Sequence, residues 1–251
     1  MDPDARRGRR CRAHRVHRPV SVAPFRRSLL AVALGVALVA PAPRAQETPR
    51  LADARSGQTP RLADARSGQA PGGIVFVGSS IFHRWTNLAS QMVPLPITNL
   101  AIDGTETYDM LRMVDSRVIP LRPKVIAYYC GSNDVDAGEP APAIVGRIVQ
   151  FVDRVAKALP DTRVIFVSVN RAPEKRDLWD VVDAVNRQIQ SYAASHPRVE
   201  YVDVNPVLFN ADGTSRLEVF MGDQLHLRPR AYEEFAKILK PVLTRALNPS
   251  P

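Results

Sequence analysis

The feature that most constrains the fold is a series of short apolar runs that alternate with helical patterns from residue 74 onward. The runs are rich in β-branched or aromatic residues and are bounded by turn residues, as buried strands are. They are Ile74–Val77, Ile97–Ile102, Val125–Cys130, Val164–Val169 and Val199–Val204. Residues 144–155 and 178–192 place apolar side chains on one helical face, and a further helical pattern runs through residue 247. This alternation predicts an α/β fold with a parallel sheet of about five strands and helices on both faces.

The first 45 residues have the pattern of a targeting segment. They hold ten Arg but only two acidic residues, and the thirteen residues Ser28–Ala40 are apolar or small. A membrane span needs about 20 such residues, whereas a signal-peptide core needs fewer. We therefore expect residues 1–45 to be a signal peptide, and the mature protein to be periplasmic or secreted without stable membrane insertion. An uncleaved N-terminal anchor is the alternative, and the sequence leaves the export route and the cleavage position open.

A tandem repeat follows this segment. Residues 48–58 (TPRLADARSGQ) recur identically at residues 59–69. Each copy has one Leu among small and polar residues, so it buries too little apolar surface to offset the entropy of ordering. We expect residues 46–71 to be a flexible linker and residues 72–251 to be the folded domain.

The high net charge does not indicate a nucleic-acid partner. The chain carries a formal charge of +9, of which the first 45 residues supply +8. The folded part is therefore almost neutral, and a basic nucleic-acid-binding surface is not expected.

The cysteine content predicts a mature domain without an internal disulfide. Cys11 lies in the predicted signal peptide, which leaves Cys130 alone. Cys130 ends an apolar run, so a buried and inert thiol is the favoured interpretation over a reactive one.

Polar clusters follow the predicted strands at the edge where α/β proteins bind their ligands. In a parallel sheet this edge lies outside the carboxyl ends of the strands. The clusters are Gly78–Ile81, Asp103–Thr105, Gly131–Asp134 and, before the last helix, Asp223–His226. We expect these clusters to lie close together.

One histidine fits the role of a catalytic base. Acyl transfer needs a hydroxyl, a base, a carboxylate that orients the base, and donors for the oxyanion. The mature chain has His83, His196 and His226, and His226 alone has a carboxylate three residues upstream. One helical turn would bring Asp223 and His226 to the same face. This elimination favours His226 as the base. Asp223 could then hold the Nδ1 proton and leave Nε2 free for Ser80, the predicted nucleophile.

Each cluster taken alone also has an ordinary structural explanation. Gly-Ser-Ser after a strand is commonly a turn with a helix cap. Asn133-Asp134 is commonly an Asx-type turn, and Asp-x-x-His a solvated or capping pair. A catalytic function is favoured because the four clusters occur together, in this order along the chain and each at the end of a predicted strand or before the last helix.

The four clusters resemble the sequence blocks of the SGNH (GDSL-type) serine esterase and lipase family. The matching segments are Gly78-Ser79-Ser80-Ile81, Asn99–Gly104, Gly131-Ser132-Asn133-Asp134 and Asp223–His226. The resemblance spans about residues 73–245. It implies a flavodoxin-like, three-layer α/β/α sandwich, and an oxyanion hole made by the backbone N–H groups of Ser80 and Gly104 and the side chain of Asn133.

Two positions depart from the family pattern. Ser79 stands where the family usually has Asp, and Ala101 stands where it has Gly. The first change affects the anchoring of the turn, and the second position is not an expected oxyanion donor.

The sequence therefore predicts a serine hydrolase that acts on carboxylic esters through an acyl-enzyme, with no cofactor and no metal. The motifs G-x-S-x-G, G-x-G-x-x-G and H-E-x-x-H are absent. The lack of a long apolar lid favours short acyl chains such as acetyl on small-molecule or glycan esters. Candidate pocket residues are Arg84, Trp85, Asn170, Arg171 and Trp179. An acyltransferase or thioesterase with the same triad, or a catalytically idle extracytoplasmic binding domain, are the alternatives; the oligomeric state is left open.

Overall fold

The computed structural model describes residues 72–249. The predicted signal peptide at 1–45 and the predicted linker at 46–71 lie outside the described residues, as do the last two residues.

A five-stranded parallel sheet forms the centre of the domain, with the strand order β2-β1-β3-β4-β5. The strands are β1 (Ile74–Gly78), β2 (Ile97–Asn99), β3 (Val125–Tyr129), β4 (Arg163–Val167) and β5 (Val199–Val202). In the register, Ile74 pairs with Ile97 on one side and with Val125 on the other. This is the doubly wound order of flavodoxin-like folds, and it confirms the predicted α/β fold.

Helices cover both faces of the sheet. They are α1 (Ser80–His83), α2 (Leu88–Met92), α3 (Thr107–Met113), α4 (Ser132–Asp136), α5 (Ala141–Ala158), α6 (Trp179–Ala194) and α7 (Pro229–Leu247). A π-helical turn at Val114–Val118 extends α3, and 3-10 turns occupy Ile119–Leu121, Pro173–Leu178, Asn205–Leu208 and Leu217–Val219. Alternate residues of β1 point to opposite layers: Ile74 and Phe76 pack with α1, α2 and α7, whereas Val75 and Val77 pack with α3, α5 and α6. The result is a three-layer sandwich with one core on each face.

An aromatic cluster joins α1 to α7 over the first face of the sheet. Trp85 is 2% exposed and stacks on Tyr232 with ring centroids 5.1 Å apart. Phe82 lies 4.8 Å from Phe76 and 5.5 Å from Tyr129. The packing of these aromatic rings fixes the position of the short helix α1 relative to β1 and β3.

Four of the strands end one to three residues earlier than the apolar runs predict, and after β4 and β5 side chains take over some of the backbone hydrogen bonds. Val169 is the clearest case: its N–H and C=O are both bonded to the side-chain amide of Asn186 in α6, at 2.8 and 2.9 Å. The N–H of Val204 is likewise taken by the hydroxyl of Ser168. Apolar character continues past the ladder because these residues remain buried.

Between residues 72 and 249, none of the helices combines the length and the apolar character that crossing a membrane would require.

Candidate active site

The candidate site begins where the strand order reverses. The chain moves from β1 outward to β2 and then returns to place β3 on the other side of β1. Such a reversal opens a crevice at the carboxyl ends of the strands. Ser80 is the first residue of α1, separated from β1 only by Ser79, and is half-buried.

Gly78 makes the turn from β1 into α1 sterically feasible. Its φ is +148°, and a Cβ added there would lie 1.9 Å from the carbonyl oxygen of Tyr129. No other residue type fits so close to the backbone of β3. The N–H of Ser79 donates to the same Tyr129 carbonyl over 3.1 Å, and Ser79 is 1% exposed. Main-chain bonding therefore anchors the turn at the position where the family usually has Asp.

Three contacts hold the loop after β2 against α1. The side-chain amide of Asn99 donates to the Phe82 carbonyl over 2.8 Å, and His83 Nδ1 donates to the Ala101 carbonyl over 2.9 Å. Arg84 and Asp103 form an ion pair at 3.0 Å. His83, which was not chosen as the catalytic base, therefore helps to position the loop after β2.

Gly104 follows this ion pair at the exposed tip of the loop, with φ +74°. That angle is unfavourable for residues with a Cβ, although the surrounding space is open. The left-handed conformation sets the direction of the backbone N–H of Gly104.

Asn133 and Thr105 connect the loops after β2 and β3. Asn133, the second residue of α4, donates from Nδ2 to the Thr105 carbonyl over 2.9 Å. The Thr105 hydroxyl in turn donates to the Gly78 carbonyl over 3.1 Å. An amide nitrogen carries two hydrogens, so Asn133 retains a second donor.

Asp134, the next residue, is fully buried and lies at the centre of a charged network. It accepts from the Thr107 N–H at 3.0 and 3.1 Å, from the Thr107 hydroxyl, and from Arg147 at 3.1 Å. Arg147 also donates from Nε to the Thr107 hydroxyl over 2.7 Å. Sequence reasoning missed Thr107 and Arg147, although a charged residue on the apolar face of α5, between Ile144 and Phe151, was a usable signal.

The Asp223–His226 segment precedes α7. His226 Nδ1 donates to Asp223 Oδ2 over 2.6 Å, and Asp223 Oδ1 accepts the N–H groups of Leu225 and His226 at 3.0 Å. The two side chains meet in an Asx-type turn rather than in the helical turn expected from sequence, because Gln224 has φ +54°. His226 is 13% exposed and Asp223 47%.

These hydrogen bonds determine the charge of Asp223. Partial desolvation acts to raise the pKa of its carboxyl group, but the bonds from the His226 side chain and from the two backbone N–H groups outweigh it. The net result is a pKa lowered to about 2. Asp223 is therefore a carboxylate near neutral pH and keeps the Nδ1 proton on His226, which leaves Nε2 as the acceptor nitrogen. Ser80 Oγ and His226 are not hydrogen-bonded to each other in the described part of the chain.

The five candidate pocket residues lie in two separate regions of the domain. Arg84 and Trp85 line a cavity of about 260 Å³ together with Met221, Leu227 and Tyr232. Met221 and Leu227 are close in sequence to the Asp223–His226 segment, but Ser80, Asp223 and His226 do not line this cavity.

The other three candidates follow β4. Asn170 is 2% exposed, and neither atom of its side-chain amide has a hydrogen-bond partner. Arg171 is paired with Asp183 at 2.6 Å, and the Trp179 indole N–H donates to the Ala172 carbonyl over 2.8 Å. Among residues 72–249, no group of three or more His, Cys, Asp or Glu is arranged to hold a metal ion.

Comparison with known proteins identifies the family. Residues 68–234 match the family model of the GDSL-like lipases and acylhydrolases. No match to the chain was found among curated proteins.

Solved structures share the fold at low sequence identity. A GDSL-like lipase from Bacteroides thetaiotaomicron is 22% identical, with 72% of this chain and 94% of that chain covered and a TM-score of 0.63. A carbohydrate esterase of family 3 from Talaromyces cellulolyticus is 17% identical over 72% and 100% of the two chains, with a TM-score of 0.58. An acetyl esterase solved with an acetate ion is 17% identical over 70% and 98%, with a TM-score of 0.57. The family match confirms the resemblance found in the sequence blocks: the chain belongs to the GDSL-like lipase/acylhydrolase family and is a carboxylic ester hydrolase.

Proposed function

We propose that the chain hydrolyses carboxylic esters through a Ser80–His226–Asp223 triad and an acyl-enzyme. The observation that carries the proposal is the 2.6 Å hydrogen bond between Asp223 and His226 Nδ1, which leaves Nε2 as the acceptor nitrogen. The half-buried hydroxyl of Ser80 at the reversal of the strand order is the nucleophile that this base serves.

In the first step His226 Nε2 takes the Ser80 proton while Oγ attacks the ester carbonyl carbon. The tetrahedral intermediate collapses, the C–O bond to the alcohol breaks, and His226 gives its proton to the departing alcohol. In the second step His226 deprotonates a water molecule, which attacks the acyl carbon. The bond between this carbon and Ser80 Oγ breaks, His226 returns the proton to Oγ, and the acid is released. The carboxylate of Asp223 stabilises the imidazolium formed in each step.

The oxyanion receives hydrogen bonds from the backbone N–H groups of Ser80 and Gly104 and from the free amide hydrogen of Asn133. Contacts between α1 and the loop after β2, and the Asn133–Thr105 bond, set the separation of these donors before substrate arrives. Donors that are already oriented stabilise developing charge without reorganisation.

Short acyl chains, such as acetyl, on small-molecule or glycan esters are the proposed substrates. In the described part of the chain, the segments after β2 and β4 run only from Leu100 to Glu106 and from Ser168 to Ala172 before the next helical element begins. Such short connections provide little apolar surface for a long acyl chain.

Hydrolysis of a p-nitrophenyl ester series from acetate to palmitate tests the proposal. Wild type is expected to turn over the short esters fastest, and Ser80→Ala to lose nearly all turnover. Ser90→Ala is the matched control, because Ser90 is exposed on α2 and bonds only to the nearby Asn87 carbonyl. Turnover by Ser80→Ala near that of wild type would refute the triad, and a rate maximum at palmitate would refute the short-acyl assignment.

An acyltransferase would give a different pattern. A fluorophosphonate probe would still label Ser80, but esters would be consumed quickly only after a sugar or thiol acceptor is added. A catalytically idle binding domain would show neither labelling nor turnover.

Export is the proposed location, since it follows from the signal-peptide pattern of residues 1–45. N-terminal sequencing of the protein recovered from the periplasm or the medium checks it. A start near residue 46 supports cleavage, whereas an intact N-terminus in the membrane fraction supports the uncleaved anchor.

A further inference from the structure

A buried lysine lies behind the proposed oxyanion donor. Lys175 is 3% exposed, and its Nζ donates to the Ser132 carbonyl over 3.0 Å. Nζ also lies 3.3 Å from Asp136 Oδ1, whose side chain is 60% exposed. Burying an ammonium group is unfavourable unless its hydrogens are bonded. We therefore expect the Lys175 ammonium group to keep its contacts with Ser132 and Asp136.

The backbone is kinked at Lys175. The 3-10 segment Pro173–Leu178 contains non-helical angles at Lys175, with φ −102° and ψ 27°. The carbonyl of Ala172 accepts from the Lys175 N–H at 3.0 Å and from the Trp179 indole at 2.8 Å, which holds the start of the segment. The segment is thereby fixed at both ends while Lys175 points away from it toward α4.

The same segment contacts the triad side of the site. The N–H of Glu174, one residue before the lysine, donates to the Gln224 carbonyl over 3.3 Å. Gln224 lies between Asp223 and His226. The adjacent residues Glu174 and Lys175 therefore contact two parts of the site. Glu174 bonds to the segment that carries His226, and Lys175 bonds to the residue before Asn133.

The Ser132 carbonyl belongs to the peptide group that ends in the N–H of Asn133. A hydrogen bond to that carbonyl restrains the peptide plane and with it the position of the Asn133 Cα, from which the side chain extends. The Asn133–Thr105 bond fixes the other end of the same side chain.

We propose that Lys175 is a positioning residue for ester hydrolysis, which acts by holding the Ser132–Asn133 peptide so that Asn133 donates to the oxyanion. The proposal rests on the triad mechanism proposed above. The polar partners of the Lys175 side chain are Ser132 and Asp136 rather than the triad side chains, so its effect passes through Asn133.

A double-mutant cycle tests this dependence. Lys175→Met, Asn133→Ala and the double variant are assayed with p-nitrophenyl acetate, and kcat and KM are determined separately. Lys175→Met is expected to lower kcat on the order of tenfold to a hundredfold, because small misplacements of catalytic groups have effects of that size. KM is expected to change little. The double variant is expected to have the kcat of Asn133→Ala, because Lys175 cannot position a side chain that is absent.

Controls separate this role from a general effect on stability. Thr162→Val removes another buried side-chain hydrogen bond to a carbonyl, the 2.7 Å contact with Pro123 at the amino ends of β3 and β4. It is expected to lower Tm without changing kcat. Lys175→Arg keeps a charged donor and is expected to recover part of the kcat lost in Lys175→Met. If Lys175→Met does not fold, Lys175→Gln takes its place in the cycle.

The outcomes distinguish the two proposals. The positioning role is overturned if Lys175→Met has the kcat of wild type. It is also overturned if the kcat of the double variant is lower than that of Asn133→Ala by the same factor by which Lys175→Met lowers the wild-type kcat. In either case Ser80→Ala would remain inactive. Full turnover in Ser80→Ala overturns the triad itself.

Discussion

The side-chain amide of Asn133 donates to the main-chain carbonyl of Thr105 over 2.9 Å. This bond joins the loop after β3 to the loop after β2, and Thr105 in turn bonds the end of β1 at Gly78. Three strand ends are thereby held together at the reversal of the strand order. The proposed oxyanion donors are carried by this connected edge rather than by independent loops.

Asn133→Ala is therefore expected to reduce kcat about 10²- to 10³-fold, since this is the usual effect of losing one oxyanion donor. KM should change little, because the lost bond forms in the transition state. Steady-state kinetics with p-nitrophenyl acetate measures both. Asn248→Ala, an exposed position at the end of α7, is the control and should match wild type. A fall in kcat of less than about threefold would contradict the role of Asn133.

Gly78→Ala is expected to reduce the free energy of unfolding by at least about 3 kcal/mol, since the new methyl group would collide with the Tyr129 carbonyl. Gly146→Ala is the matched control. Gly146 lies inside α5, and a Cβ there meets nothing within 4 Å. That change should stabilise the domain by about 0.5–1 kcal/mol. Urea unfolding followed by circular dichroism compares them, and equal stability of the two variants would argue against the close approach.

Asp134→Ala should destabilise the domain by about 3–5 kcal/mol, because Arg147 would keep a largely buried charge without its main partner. Asp115→Ala breaks the exposed Asp115–Arg154 pair and should change stability by less than about 1 kcal/mol. Thermal unfolding of both variants at one pH provides the comparison. Similar losses from the two substitutions would mean that the buried network contributes no more than a surface ion pair.

The pH dependence of stability is expected to include Asp223. Its folded-state pKa of about 2 is below the ordinary value of 3.8, so the unfolded chain binds the proton more tightly. The stabilisation is complete above about pH 5 and is lost as the pH falls through about 2. The difference in Tm between wild type and Asp223→Asn should therefore be constant above about pH 5 and shrink toward pH 2.

Asp212 provides the control for that titration. Hydrogen bonds from Thr214 lower the pKa of its carboxyl group as well. Asp212→Asn should likewise change the dependence of stability on acidification but leave kcat unchanged, whereas Asp223→Asn should lower kcat at every pH. A Tm difference for Asp223→Asn that grows on acidification would contradict the lowered pKa.

Cys130 is fully buried, and burial raises the pKa of its thiol well above the usual range. A thiol with a raised pKa has little thiolate to react. In a Cys11→Ser background, folded protein should resist Ellman's reagent at pH 8, and unfolding in guanidinium should release one reactive thiol. Fast modification of the folded protein would show that the region around Cys130 opens readily.

Most of the fold could be predicted from local patterns. β-branched runs such as Val125–Tyr129 predict buried strands, and the apolar faces of α5 and α6 predict the helices that cover them. The strand ends were less predictable, because Val169 is as apolar as its neighbours while its backbone bonds to Asn186, a residue on another element. That exchange depends on tertiary structure.

The site shows the same division. The contact between Asp223 and His226 was predicted, although an Asx-type turn rather than a helix produces it. The place of Lys175 behind Asn133 could not be predicted, because it depends on the packing of two segments far apart in sequence. The charge on Lys175 resembles that of an ordinary surface residue until the fold buries it.

The hydrogen bond between Asp223 and His226 forms within a segment of four residues. The position of Ser80 relative to His226, in contrast, depends on the folded sheet. The segment is held internally by the 2.7 Å bond from the Met221 N–H to the His226 carbonyl. It is therefore a candidate for opening as a unit while the sheet stays intact. We expect mild denaturant to abolish hydrolysis at concentrations that leave the circular dichroism of the domain unchanged, so that inactivation precedes unfolding.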